Sequence, residues 1–203
     1  MEQLLNIDYS LFEWINHDWQ NPFLDTIMPY WRDKESWIPA YLIMIVVLFW
    51  KYKLKAFYFL LALVLTVGIA DQLSSEFIKK TVKRDRPCRE SSLNPPAHTL
   101  IHCGSGYSFP SSHATNHFAV AVFILLTWAR RWGKWKYLLL FWAASISIGQ
   151  VYVGVHYPVD ITFGAILGCF IGYLMSLGYR KVEQFRIDEF YIKKDKIKTV
   201  MKF

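Results

Sequence analysis

Five stretches of this chain contain no aspartate, glutamate, lysine or arginine: Ser36–Trp50, Ala56–Ala70, Ala114–Ala129, Tyr137–Val159 and Ile161–Tyr179. A helix needs roughly 17–25 mostly apolar residues to cross a hydrocarbon core. The last two stretches reach that length alone, and the first three reach it once their polar flanks are added. Charged residues make up only 19% of the 203, against about 25% in soluble domains. The chain therefore lacks the polar surface to wrap five such helices as a buried core. The expected fold is all-α, a polytopic transmembrane helix bundle of five to six membrane helices in one domain over residues 1–203.

Charge placement gives this bundle a direction. Lys51, Lys53 and Lys55 lie between the first two stretches, and Arg130, Arg131, Lys134 and Lys136 lie between the third and fourth. The tail over 180–203 has eight Lys/Arg and four Asp/Glu, a net of +4. If the chain changes side at each stretch, all three clusters share one face, which the positive-inside rule makes cytoplasmic. The opposite face receives residues 1–34, a loop over 76–113 and the turn at 156–160. Residues 1–34 hold six acids and two bases, which suits the outer side.

Within 1–34, Leu4, Leu5, Leu11, Phe12, Ile15 and Trp19 recur at near-helical spacing, with Asp8, Glu13 and Asp18 between them. This reads as an amphipathic helix in the outer interface. The alternative is a shallow sixth membrane segment over Pro22–Trp31, which is short and contains Asp25. A signal peptide is not expected, since a basic leader and a cleavage site are both missing.

Three polar motifs fall on the outer face. The first is Lys79-x6-Arg86-Pro87. Phosphoryl transfer needs cations already in place, and residues seven apart share a side if the second helix continues through them, with Pro87 ending it. Arg86 can grip phosphate oxygens with its fork, and Lys79 offers a point charge. The loop also carries Lys80, Lys83, Arg84 and Arg89; Lys80, Lys83 and Arg89 read as solvated.

The second motif is Pro110-Ser111-Ser112-His113, directly before the third apolar stretch. A helix N-terminus presents free N–H groups to an anion, and Ser111 can add a hydroxyl or cap the helix. His113 sits at the helix mouth, whereas His117, one turn deeper, reads as structural. The third motif is His156-Tyr157-Pro158-Val159-Asp160. Its i, i+4 spacing lets Asp160 fix the tautomer of His156 and leave the other ring nitrogen free, the form in which a histidine attacks.

Asp71 is read as a hydrogen-bonding partner within the bundle. Gly164, Gly168 and Gly172 are read as a close-packing face. Cys88 and Cys103 share the outer loop, where an oxidising exterior permits a bridge that would contribute on the order of 3 kcal/mol; two free thiols are the alternative. No CxxC or HExxH spacing supports a metal site.

In order and on one face, these motifs resemble the type 2 phosphatidic acid phosphatase superfamily, membrane branch, whose signature is Lys-x6-Arg-Pro, Pro-Ser-Gly-His and Ser-Arg-x5-His-x3-Asp. The resemblance runs from Lys79 to Asp160. It implies that His156 attacks phosphorus, Asp160 orients it, and His113 protonates the leaving oxygen. Lys79, Arg86, Ser111, Ser112 and Gln150 would hold the phosphoryl oxygens, with no metal or cofactor. The implied partner is a phosphorylated lipid and not nucleic acid, in a bacterial inner membrane with the site facing outward. Undecaprenyl diphosphate is the leading substrate, ahead of phosphatidylglycerophosphate, phosphatidate and a lipid A phosphate. The chain departs from the signature twice. Ser112 replaces Gly, and Gly149-Gln150 replace Ser-Arg, which removes one cation. Arg84 or Arg89 is the expected substitute; without one, a phosphate-lipid binder or transporter with weak turnover is the alternative.

Overall fold

The structure, a computed structural model, describes residues 2–200 and contains no strand among them. Helix α1 (Glu2–Glu13) runs into a π-helical turn, Trp14–Asp18. Helix α2 (Pro22–Trp31) starts with Pro22 at its first position and is capped by Asn21, whose side chain accepts from the Leu24 N–H at 2.9 Å. Helices α3 (Ile38–Tyr52) and α4 (Leu54–Gln72) follow. The latter passes through a π-helical stretch, Leu73–Ile78, into α5 (Lys79–Val82). Helices α6 (Ser112–Leu126), α7 (Leu138–Tyr152) and α8 (Pro158–Val200) complete the bundle.

Among the described residues, three helical stretches are long and apolar enough to cross a membrane: Glu35–Tyr52, Leu54–Val82 and Pro158–Gln184. Helices α6 and α7 are shorter than the five-stretch pattern led one to expect. Each has 15 residues, a rise of about 22 Å. The backbone tightens into 3-10 turns over Trp128–Arg131 and Gly133–Tyr137, and α7 stops well before Val159. The bundle is membrane-embedded, and its surface agrees: Leu42, Ile43, Val46, Val64, Phe141 and Ile166 are all exposed. In water such a belt would be a large unfavourable apolar area, whereas in lipid it is solvated.

A seam of small residues joins α6 to α8. A Cβ added at Gly164, Gly168 or Gly172 would lie 2.7, 2.3 or 2.4 Å from the carbonyl oxygens of Ser111, Thr115 and Ala119, respectively. Four-residue spacing on both helices brings one backbone ridge against the other, as expected for small-residue packing faces. Asp71 is bonded within the bundle as expected, accepting from the Asn116 side-chain amide at 3.0 Å.

The basic turns share one end of the bundle. Tyr52, beside Lys51 and Lys53, lies 5.5 Å from the Trp128 ring, and Phe59 contacts both Trp128 and Tyr179. The charged side chains from Arg186 onward, part of the basic tail, lie outside the described residues.

The opposite end is where the three motifs meet. The helix carrying Lys79 persists to Val82, and Lys83 ends it in the left-handed region at φ 52°. The loop expected over 76–113 therefore begins only after Val82, and Arg86 stands on extended backbone before Pro87. Lys79 and Arg86 do not share one helix, contrary to the seven-residue reading; the helix stops before Arg86. A Cys88–Cys103 disulfide, with Cα atoms 6.0 Å apart, ties the loop.

The N-terminal segment packs into the bundle. Phe12 and Ile15 are buried against Val151, Tyr152, Val153 and Tyr157 beneath the site. Asn16, fully buried, donates to the carbonyls of His98 (2.9 Å) and Tyr152 (2.8 Å) and accepts from the His98 N–H (2.8 Å).

Candidate active site

His156 stands in the short turn between α7 and α8. Gly154 makes that turn possible: its φ is +79°, and a Cβ there would sit 2.6 Å from the His98 carbonyl oxygen. His156 is 2% exposed and Asp160 is 0% exposed. Asp160 lies in the first turn of α8, where a carboxylate is favoured, and its Oδ2 accepts from the Tyr157 N–H at 2.8 Å.

The expected direct imidazole–carboxylate bond is not made. Nδ1 of His156 is 3.6 Å from Asp160 Oδ2, too long for a hydrogen bond. The Ser108 hydroxyl lies between them, 3.3 Å from Nδ1 and bonded to Oδ2. Ser108 sits outside every motif, and only its place three residues before Ser111 hinted at it. The pair remains coupled through the hydroxyl, which engages the ring at Nδ1 and so leaves Nε2 for a reactant. Burial pushes the His156 pKa down to about 4, with Arg86 and Lys79 acting the same way and Asp160 opposing. The imidazole is therefore neutral at ordinary pH, as a nucleophile requires.

Behind Asp160 the charges are balanced. Arg84 donates to Asp160 Oδ1 at 2.9 Å and to Asp8 Oδ2 at 2.6 Å, and its guanidinium lies 3.9 Å from the Tyr157 ring centre. Asp8 also accepts from the Val159 N–H at 2.8 Å, tying α1 to the start of α8. Arg84 is thus committed to two carboxylates and is not the substitute cation. Arg89 is committed as well, donating to the carbonyls of Gly104 (2.6 Å) and Gly106 (2.5 Å). It staples the loop and is not simply solvated.

In front of His156 lie Lys79 and Arg86. Nε of Arg86 donates to the Gly106 carbonyl at 2.9 Å, which aims the arginine while leaving the outer nitrogens for an anion. His113 is at the mouth of α6, as the sequence indicated. Nδ1 of His117 bonds to the His113 carbonyl at 2.7 Å, and its ring packs 5.0 Å from Trp142, a structural placement. Next to His113 stands a residue that no motif announced: Arg32, just after α2, with Nη2 3.4 Å from His113 Nε2.

The remaining motif residues serve the scaffold first. Ser111 caps α6, its hydroxyl 3.4 Å from the Ala114 N–H, and its own N–H donates to the Asp160 carbonyl at 3.0 Å. Ser112 Oγ pairs with Ser75 Oγ at 2.9 Å, towards the π-helical stretch. The side-chain amide of Gln150 lies 3.5 Å from the Arg32 carbonyl, so it is a neighbour of that backbone before it is a phosphate donor. No cluster of His, Cys, Asp and Glu suited to a metal ion occurs among the described residues.

An apolar helical bundle that gathers two histidines, a buried carboxylate and fixed cations at one end has the makings of a membrane-embedded phosphate-ester hydrolase. The chain matches the PAP2 superfamily over residues 55–184, more than half its length, and it belongs to that family; it is a phosphatase of the membrane. It is 33% identical over 180 residues to a lipid A 4′-phosphatase of Bacteroides thetaiotaomicron, covering 86% of this chain and 77% of the relative. An undecaprenyl-diphosphatase of Sulfolobus acidocaldarius is 38% identical over 95 residues, 44% of each chain. Among solved structures, Aquifex aeolicus LpxE superposes with a TM-score of 0.60 at 26% identity, covering 84% of this chain and 94% of that one. The transmembrane PAP2-type phosphatidylglycerolphosphate phosphatase of Bacillus subtilis shares the fold, with a TM-score of 0.69 at 23% identity and coverage of 90% and 89%.

Proposed function

We propose that this protein hydrolyses a lipid phosphate at the outer face of a bacterial inner membrane through a phosphohistidine on His156. The observation that carries this reading is a buried imidazole joined at Nδ1 through the Ser108 hydroxyl to Asp160 and lying within the field of Lys79 and Arg86. Nε2 of His156 attacks phosphorus, the bond to the leaving oxygen breaks, and His113 donates the proton that oxygen takes up. Water then attacks the phosphohistidine, His113 accepts its proton, and phosphate departs. Lys79, Arg86 and the N-terminus of α6 at Ser111 neutralise the equatorial oxygens as charge develops. Ser112 and Gln150 shape the wall of the site.

A lipid fits because apolar surface adjoins the cations. A cavity of about 280 Å³ is lined by Ile78, Phe109, Pro110, Phe163, Leu167 and Phe170. Ile78 precedes Lys79 and Pro110 precedes Ser111, so an acyl or isoprenoid chain there would leave its headgroup at the phosphate site. The basic turns gather at the opposite end of the bundle, and the positive-inside rule supports reading that end as cytoplasmic and this one as outer.

The order of substrates changes from that expected of the motifs alone. Similarity to the lipid A 4′-phosphatase spans most of both chains, whereas similarity to the undecaprenyl-diphosphatase spans under half. A lipid A phosphomonoester therefore comes first, then undecaprenyl diphosphate and phosphatidylglycerophosphate. The test is phosphate release from these three lipids in detergent with EDTA present, wild type beside His156→Ala. Release from lipid A that survives EDTA and disappears in the variant is expected. Undiminished release by the variant would sink the mechanism, and a faster rate on undecaprenyl diphosphate would reverse the order.

A further inference from the structure

The N-terminal segment brings a guanidinium to the site that nothing in the motifs accounts for. Arg32 is largely buried, and its Nε has no hydrogen-bond partner. Among the described residues no carboxylate lies within ion-pair distance of it. Asp33, its neighbour in sequence, exerts some field, but that carboxylate accepts from the Glu35 N–H instead. Arg32 faces His113, at 3.4 Å, and lies near enough to Arg86 for its charge to act on that guanidinium. A half-buried arginine among cations, without a counter-charge, is unfavourable unless an anion completes the set.

The surroundings of Arg32 are built to hold it there. Trp31 donates from its indole to Ser145 Oγ on α7 at 3.0 Å, and Trp37 donates to the Trp31 carbonyl at 2.9 Å. The Gln150 amide lies 3.5 Å from the Arg32 carbonyl. Gly149 clears the space: a Cβ there would come within 3.3 Å of the Arg32 Cβ and 3.7 Å of Met28 Sδ. Gly149 and Gln150, which stand where the family signature has Ser-Arg, are thus the two residues that seat Arg32.

We propose that Arg32 is a catalytic residue that binds the phosphoryl group on its leaving-oxygen side, entering from the N-terminal segment to supply the cation absent at Gln150. The inference rests on the phosphatase reading above. A guanidinium beside His113 donates to an oxygen as charge builds on it, while His113 delivers the proton. The basic N-terminal contribution was illegible because it lies 47 residues before the first motif residue, Lys79, in an acidic stretch.

The test compares wild type, His156→Ala and Arg32→Met on lipid A in detergent, with orthovanadate as a phosphoryl mimic. Activity in the wild type that His156→Ala abolishes establishes the phosphatase reading independently of Arg32. Arg32→Met is then expected to lower kcat/KM by about a hundredfold or more, the loss typical of one oxyanion donor, and to weaken vanadate inhibition in parallel. Its unfolding temperature should stay near that of wild type. Activity within about threefold of wild type, with vanadate inhibition unchanged, would overturn the assignment, since a single lost donor typically costs far more. Should the variant not fold, wild-type protein decides: vanadate should protect Arg32 from phenylglyoxal in peptide maps, and labelling that vanadate leaves unchanged would overturn the proposal equally.

Discussion

The two sides of His156 are built on opposite electrostatic plans. Behind it, Asp160, Arg84 and Asp8 form a chain of two carboxylates around one guanidinium, nearly sealed from solvent. In front of it, Lys79, Arg86 and Arg32 gather without a single ion pair among the described residues. The rear charges satisfy one another and hold α1, the loop and α8 together. The forward charges are left for an incoming anion. Arginines on the two sides therefore differ in use although each is substantially buried, and the difference comes from their partners alone.

The sharpest way to separate the sides is to remove the group between them. His156→Ala should reduce turnover by at least about a thousandfold while leaving the fold intact, because its loss strands no charge. Circular dichroism beside the lipid A assay checks both halves; residual activity within tenfold of wild type would break the division.

Next comes the rear. Arg84→Met leaves Asp8 and Asp160 buried without their counter-charge, and breaking such a pair costs about 3–5 kcal/mol. Thermal unfolding in detergent should show that loss together with the loss of activity. The corresponding loss for Arg86→Met should appear in turnover, with stability changed by only about 1 kcal/mol, since its removal strands no carboxylate and forfeits one hydrogen bond, to the Gly106 carbonyl. Equal destabilisation by both would erase the contrast.

A smaller effect is expected at Ser108. Ser108→Ala removes the hydroxyl that joins His156 Nδ1 to Asp160, and loss of an outer partner typically costs about 10–100-fold. Because the carboxylate remains 3.6 Å away, some orientation survives. A variant as inactive as Asp160→Asn would mean that the hydroxyl, not the carboxylate, holds the ring.

The smallest and most diagnostic effect is in pH. With the folded-state pKa of His156 lowered by burial to about 4, the nucleophile stays neutral well below the usual histidine range of about 6.5. The acid limb of kcat/KM due to this group should therefore lie nearer pH 4 than 6.5. The sign for stability is the same: between those values the unfolded chain binds the proton and the native chain does not, so stability falls as pH drops through that window. Arg84→Met should move the limb upward, since Asp160 then acts on His156 without its counter-charge, whereas a limb fixed near 6.5 in every variant would assign it to another group.

Some of this was legible without coordinates. The charge-free stretches dictated helices in lipid, because a backbone there must satisfy itself. The glycines four apart on α8 announced a seam, since only a missing Cβ lets helix backbones touch. Alternating charge placed the three motifs on one face, and their residue types named phosphate chemistry. The helix through Lys79 was extended too far, because nothing local marks Lys83 as the left-handed stop. Helices α6 and α7 were read too long because apolar sequence continues through 3-10 turns that hydropathy cannot distinguish from helix.

The sequence by itself determined the medium and the class of chemistry, since these depend on composition and on spacing within one element. Only the tertiary structure decided which of the outer arginines pairs with carboxylates, which staples the loop and which stands free beside His113. It also decided that Ser108 bridges His156 to Asp160. These are contacts between residues 15–81 apart, and no local periodicity records them. They depend on how the N-terminal helices and the disulfide-tied loop close over one end of the bundle.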